Sequence, residues 1–182
     1  MEKRVAILRG INVGGKRTIL MADLKSLFSN LGFRNPQTYI QSGNVVFESD
    51  DSLSDMEIGA IIEKAISKKF GFDVPIIIRS AQELEEAIKK NPFCKEKDID
   101  PQQLHLTFLK DKPLQENMTK TERFDYKPDR FIVEGKDIFV NCNGKYHETK
   151  LSNSFFEKNL KTSATTRNWK TVLEIYELLK EH

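Results

Sequence analysis

Three short stretches of this 182-residue chain hold residue types that can do chemistry. The first is Arg9-Gly10-Ile11-Asn12-Val13-Gly14-Gly15-Lys16, where glycines let backbone N–H groups turn toward an anion and Arg9 and Lys16 add positive charge. Gly10, Gly15 and Lys16 match the spacing of a phosphate-binding loop, but Arg17 stands where such a loop needs Ser or Thr for magnesium, and Thr18 comes one position late. What is left is an anion-binding loop or a flexible strand-to-helix connection. The second stretch, Tyr39-Ile40-Gln41-Ser42-Gly43-Asn44, gathers hydroxyl and amide groups at a turn, although Ser42 lacks the G-x-S-x-G surroundings of a hydrolase nucleophile. The third, Thr165-Thr166-Arg167-Asn168-Trp169, is expected to open the last helix, with a Thr as cap, Arg167 in the first turn and Trp169 in the core. A cation in a first turn opposes the helix dipole at about 0.3–1 kcal/mol unless it shares an anion with the free N–H groups. Lys145, Lys150 and Lys170 lie close by in sequence.

Other chemistries have little to build on. Cys142 and His147 are near each other, but three His and two Cys in the whole chain are too few for a metal cluster, so no metal is expected. His105 alternates within an expected strand, and nothing sets it beside a particular Ser, which leaves it a sheet-surface histidine. No general acid or base, and no cofactor, can be named from the residues, so whether the chain is an enzyme stays open.

Charge points back to the same stretches. The net charge is only +2, yet residues 1–22 carry +4 and residues 141–170 carry another +4. Divided after Pro92, each side carries +1, so neither half is a basic domain. The apolar run Val5–Leu8 near the start is far shorter than a signal-peptide core or a membrane span, and Cys94 and Cys142 do not suggest a disulfide framework. A cytoplasmic protein with no membrane contact is the expectation.

The elements that must position these residues follow from periodicity. Arg4–Leu8 reads as a buried strand, and Leu20, Leu24, Leu27, Phe28 and Leu31 form one helical stripe closed by Gly32. Thr38–Ser42 and Val45–Glu48 read as a hairpin turning at Gly43-Asn44. Ser54 and Glu57 make a capping box ahead of Ile58, Ile61, Ile62, Ala65 and Ile66. Val74, Ile76 and Ile78 alternate as a strand, and a helix capped by Ser80 stops before Pro92. The order repeats beyond a linker at 93–102. Leu104, Leu106 and Phe108 alternate, Pro113 suits the first turn of a short helix, and Arg130–Val133 and Ile138–Cys142 flank Gly135-Lys136. Then come a helix around Phe155, Phe156 and Leu160, a weak strand at Thr162–Thr165, and a final helix with Trp169, Val172, Leu173, Tyr176 and Leu179 on its stripe. The expected class is α+β: two ferredoxin-like subdomains (βαββαβ-type) with antiparallel sheets in tandem pseudo-repeat, residues 1–92 and 103–182.

With those segments in view, the chain resembles a bacterial family known as domain of unknown function 1697. The resemblance rests on Leu8-Arg9-Gly10-Ile11-Asn12-Val13-Gly14-Gly15, Ser42-Gly43-Asn44, Asn91-Pro92-Phe93 and Ala164-Thr165-Thr166-Arg167-Asn168-Trp169, in order and over nearly the whole chain. It implies an α+β fold of two related subdomains and no established activity. Thr149-Lys150 stands where the family is associated with a Ser-Lys pair.

The functional expectation is a small phosphorylated or otherwise anionic ligand held between the Gly10–Lys16 loop and the start of the last helix. Arg9, Lys16 and Arg167 would pair with the anion. Gly10, Gly14, Gly15 and Thr166 would offer backbone groups, Asn12, Ser42, Asn44 and Asn168 would orient the rest, and Lys150 would add charge. Two alternatives stand beside it: single-stranded nucleic acid on Tyr39, Phe47, Phe131, Phe139 and Tyr146 of a sheet surface, or a structural or partner-binding protein.

Overall fold

The computed structural model describes residues 1–181 and has two four-stranded antiparallel sheets, each with its own helices. In the first sheet β1 (Glu2–Leu8), β2 (Arg34–Tyr39), β3 (Asn44–Ser49) and β4 (Ile76–Ser80) run in the order β2-β3-β1-β4. In the second, β5 (Leu104–Leu109), β6 (Arg130–Glu134), β7 (Asp137–Asn141) and β8 (Ala164–Asn168) run in the order β6-β7-β5-β8. Helices α1 (Met21–Asn30), α2 (Asp55–Phe70) and α3 (Ala81–Lys90) belong to the first βαββαβα run, and α4 (Gln115–Thr121), α5 (Asn153–Leu160) and α6 (Trp169–Lys180) to the second. These are two ferredoxin-like subdomains in tandem. By internal packing the chain divides into a first unit, Met1–Glu85 with the chain from Ile175 on, and a second unit, Glu86–Glu174.

Each unit has its own core. In the first, Ala6, Leu8, Val45, Phe47, Ile76 and Ile78 on one sheet face meet Leu24, Leu27 and Phe28 of α1 and Ile58, Ile62 and Ile66 of α2. In the second, Leu109, Val133, Ile138 and Val140 meet Met118 of α4 and Phe156 and Leu160 of α5. Burial of each such side chain stabilises by about 1.5–3 kcal/mol, which is why short and otherwise marginal helices hold. The capping box at Ser54 is present, with Glu57 N–H donating to Ser54 Oγ at 3.3 Å and Ser54 N–H to the Glu57 carboxylate at 2.8 Å.

The repeat extends to register. Val5 faces Arg79 and Ala6 faces Ile78 across β1 and β4, while Leu106 faces Arg167 and Thr107 faces Thr166 across β5 and β8. Leu8 N–H donates to the Gly43 carbonyl at 2.8 Å, and Leu109 N–H to the Lys136 carbonyl at 2.8 Å. Glu63 accepts from Ile76 N–H at 2.9 Å, as Glu157 accepts from Ala164 N–H at 3.0 Å. The same carboxylate device therefore closes the helix-to-strand turn in both units.

Four local expectations are corrected. The hairpin of the first unit turns at 40–43, with Ile40 at φ 51°, and Asn44 is already in β3, paired with Tyr39 and Ile7. Pro113 precedes α4, which begins at Gln115. The weak strand begins at Ala164 and runs through Asn168, because the β-branched pair Thr165-Thr166 extends along β5 instead of entering a helix. His105, expected on a sheet surface, is 7% exposed because both faces of β5 are covered.

One difference between the repeats is chemical. Thr166 Oγ1 donates to Asn153 Oδ1 at 2.7 Å and lies 2.7 Å from Thr107 Oγ1, which then donates to it, where the first unit has the apolar pair Ala6 and Ile78. Thr166→Val leaves Asn153 without its donor and Thr107 without its acceptor, so a loss of roughly 1–3 kcal/mol is expected. Thr107→Val on top of it should cost less than it does alone, giving a coupling of at least about 0.5 kcal/mol in a urea double-mutant cycle. Strict additivity would contradict the network.

Candidate functional site

The predicted residues fall into two groups. In the first unit the Gly10–Lys16 stretch is a small hairpin: Lys16 N–H donates to the Val13 carbonyl at 3.1 Å and Asn12 N–H to the Arg17 carbonyl at 3.2 Å. Gly14 and Gly15 form its two-residue tip at φ 58° and 71°, as such a tight turn requires. Lys16 and the tip are exposed, Gly10 lies at the base, and Arg9 N–H is bonded to the Pro75 carbonyl at 3.0 Å. Asn12 is a structural clamp. Its amide nitrogen donates to the carbonyls of Ile19 and Gln41, at 3.0 and 2.8 Å, and its oxygen accepts from Ile19 N–H at 2.8 Å. The clamp brings the loop alongside the 40–43 turn, where Ser42 is half-buried and the fully buried Asn44 donates to the Tyr39 carbonyl at 3.1 Å.

In the second unit Lys150 is exposed, with its Nζ 5.6 Å from the centre of the Tyr126 ring. Thr149, beside it, donates to Asp129. Arg167 is not in a helical turn. It is the fourth residue of β8, 9% exposed, and its Nη1 donates to the Thr166 carbonyl at 3.0 Å. Burial pulls its guanidinium down to about 10, so it stays charged at neutral pH. Arg79 holds the matching position in the first unit, with Nη1 donating to the Ile78 carbonyl at 2.9 Å and 2% exposure. A buried arginine one residue before the helix cap is thus a feature of both repeats. The cap itself is Asn168, whose Oδ1 accepts from Thr171 N–H at 2.9 Å.

Around that cap lies a cleft of about 570 Å³, lined by Pro101, Gln102, His105, Asn168, Trp169, Lys170, Leu173 and Glu174. Trp169 is buried, whereas Leu173, expected in the core stripe of α6, is 39% exposed. His105 and Asn168 are directly opposed across β5 and β8, so their side chains share a sheet face. His105 Nδ1 lies 3.2 Å from the Gln103 carbonyl, which can only accept, so Nδ1 carries the proton and Nε2 the lone pair. Burial lowers the imidazole below its ordinary value and keeps it neutral near pH 7, and its ring stacks on Tyr146 at 4.7 Å. Sequence reasoning counted Lys170 among the basic neighbours of this stretch but did not set His105 or Leu173 beside Asn168. The available signal was a pair of polar residues, His105 and Thr107, on one face of a strand flanked by Leu104, Leu106 and Phe108, but only register tells what opposes them.

A second hollow of about 450 Å³ includes Phe93, Glu96, Tyr126, Asp129 and Arg130. It is bridged by the bidentate pair of Arg130 with Glu96, at 2.9 and 2.7 Å. Among the described residues no group of three or more His, Cys, Asp or Glu is placed to hold a metal, and no helix is long and apolar enough to cross a membrane. Cys142 is buried and its thiol is pushed up to about 11, mainly by desolvation, so it is an unreactive core residue.

Comparison with known proteins bears on the fold. The chain is similar to the solved structure of the conserved bacterial protein SP0830 from Streptococcus pneumoniae, at 24% identity and a TM-score of 0.78, over 98% of each chain. No curated protein matches the sequence. The model of the family described as "Protein of unknown function (DUF1697)" matches residues 1–139 of the 182, and the chain belongs to that family.

Proposed function

We propose that the protein binds a small phosphorylated or otherwise anionic ligand in the cleft at the start of α6. The observation that carries this reading is the cleft itself, which opens on the first turn of a twelve-residue helix and is lined there by Asn168, Trp169 and Lys170. A helix start offers N–H groups and the positive end of the dipole, and Lys170 adds a cation that has no ion-pair partner among the described residues. Apolar walls with a few polar groups are what small-molecule sites use. Arg167 contributes to the strand and to the local charge, not to the helix turn. The exposed Lys16 hairpin supplies the other basic segment of the chain.

The nucleic-acid alternative is the weaker reading, because Phe47 and Phe139 are both 1% exposed and Phe131 packs on Phe155 and Phe156, which leaves Tyr39 and Tyr146 of its five aromatics. A titration with ribose 5-phosphate and other phosphate esters, followed by thermal shift, tests the proposal. Lys170→Glu should weaken binding at least about tenfold, or roughly 1.4 kcal/mol, and Lys16→Glu should leave it within about twofold. Loss confined to Lys16→Glu would move the site to the glycine loop. No response to any phosphate ester would end the proposal.

A further inference from the structure

We infer that the cleft reads the edge of a planar heterocycle, so that its ligand is of the nucleotide class: an N–H donor and an acceptor side by side on a ring, joined to an anionic group. The inference rests on the placement of the anion at the start of α6 and adds the other end of the ligand.

Two side chains already half committed within the protein define that edge. His105 is 93% buried, donates from Nδ1 to the Gln103 carbonyl, and its Nε2 has no partner among the described residues. It therefore presents a lone pair to the cleft it lines. Asn168 has its Oδ1 fixed by Thr171 N–H, which orients the carboxamide and leaves Nδ2 as a donor. Because the two residues are opposed in register, their Cβ atoms lie about 4.5–5.5 Å apart on one face. An acceptor beside a donor at that spacing complements the N–H and C=O of a uracil-type ring, or the amino group and ring nitrogen of adenine. Trp169 and the exposed Leu173 give the same cleft apolar walls.

The first unit shows what the same positions look like without this role. In register, Arg4 corresponds to His105 and Ser80 to Asn168, since Arg4 faces Ser80 as His105 faces Asn168. Arg4 is saturated by Glu2, Ser49 and Asp55, and Ser80 closes a capping box with Glu83. At these matched positions, the second unit leaves a donor and an acceptor at a cleft where the first has an ion-paired arginine and a closed capping box.

The test is a titration of the full chain with UMP, AMP and GMP against ribose 5-phosphate as the anion-only probe. It is followed by the fluorescence of Trp169, which is the single tryptophan of the sequence. At least one nucleotide should bind tenfold or more tighter than ribose 5-phosphate, and methylating its edge N–H, as in 3-methyl-UMP or N6,N6-dimethyl-AMP, should remove that advantage. Asn168→Ser, which keeps a capping oxygen, and His105→Phe, which keeps a ring against Tyr146, should each bring the nucleotide down to the affinity of ribose 5-phosphate measured on the same variant. If no nucleotide exceeds ribose 5-phosphate, the heterocycle inference falls and the anion site stands. If neither binds, both fall.

Discussion

Gly43→Ala should lower the stability of the first unit by about 3 kcal/mol, the largest loss expected from adding a single methyl group to this chain. Two independent costs combine. Gly43 sits at φ 88°, where an L-residue pays roughly 1–2 kcal/mol. A Cβ there would lie 2.7 Å from Ile11 Cδ1 and 2.8 Å from Leu8 Cβ. Leu8 Cβ is fixed to a central strand and cannot move aside, and both neighbours are core residues at 0% and 1% exposure. The same junction carries the bond from Leu8 N–H to the Gly43 carbonyl, and the Asn12 clamp is on the adjoining Gln41. The glycine hairpin and the Ser42 turn should therefore loosen together. Gly14→Ala is the control: φ is 58° but nothing lies within 4 Å, so only the backbone cost of about 1 kcal/mol applies. Urea unfolding followed by far-UV circular dichroism reports both, while the fluorescence of Trp169 reads the second unit. Equal losses for the two variants would show that the close approach at Gly43 is not what matters there.

Gly43 also illustrates what the residues alone disclose. Dipeptide chemistry at Gly43-Asn44 announces a turn, and a turn is present, but its place depends on which residue pairs with β1. Asn44 is pulled into β3 because Val45 and Phe47 must face α1 and α2. Periodicity gives the helices and the repeat because each buries one stripe, and 3.6-residue spacing survives in any context. The candidate cleft was only half legible. Asn168 and its basic neighbours are consecutive in sequence, so their charge was visible. His105 lies more than sixty positions away and reaches Asn168 only through strand pairing, which depends on long-range register. Arg167 was misplaced for a related reason: a Thr-Thr-Arg-Asn run suits both a helix cap and an edge strand, and the vacancy beside β5 decides for the strand.

The two buried arginines also separate structure from ligand chemistry. Arg79 and Arg167 occupy matching places in both units, so a duplicated role in holding the end of the last strand accounts for Arg167 without any ligand. What is not duplicated is the group formed by His105, Asn168, Thr107 and Thr166, and the proposal of a site follows that asymmetry.

The counterpart of His105 supports the second large expected effect. Arg4 has a side chain 6% exposed, with Nε 3.1 Å from Asp55 Oδ1, Nη2 2.6 Å from Glu2 Oε2 and 3.2 Å from the Leu53 carbonyl, and Nη1 bonded to Ser49 Oγ. One guanidinium thus ties β1 to β3, to the 50–53 turn and to the first residue of α2. Arg4→Ala should cost about 3 kcal/mol, the lower end of the range for breaking a buried charged network, because Asp55 and Glu2 are 36% and 45% exposed and regain water. The Leu53 carbonyl and the Ser49 hydroxyl lose their donor inside the protein, which sets the floor. Arg4→Met keeps much of the stem's packing and should recover about 1 kcal/mol of the loss. Arg4→Lys should recover little more, since an ammonium cannot reach partners on three sides from one plane. Because the cation is buried, raising salt to 0.5 M should change these differences far less than it would for a surface pair. Proteolysis within 50–53 should rise in the Ala variant well before global unfolding, as the turn loses its anchor. A urea-derived loss under 1 kcal/mol for Arg4→Ala, or one equal to that of His105→Ala, would mean that the position owes its burial to packing alone and that the contrast between the two units is not one of charge.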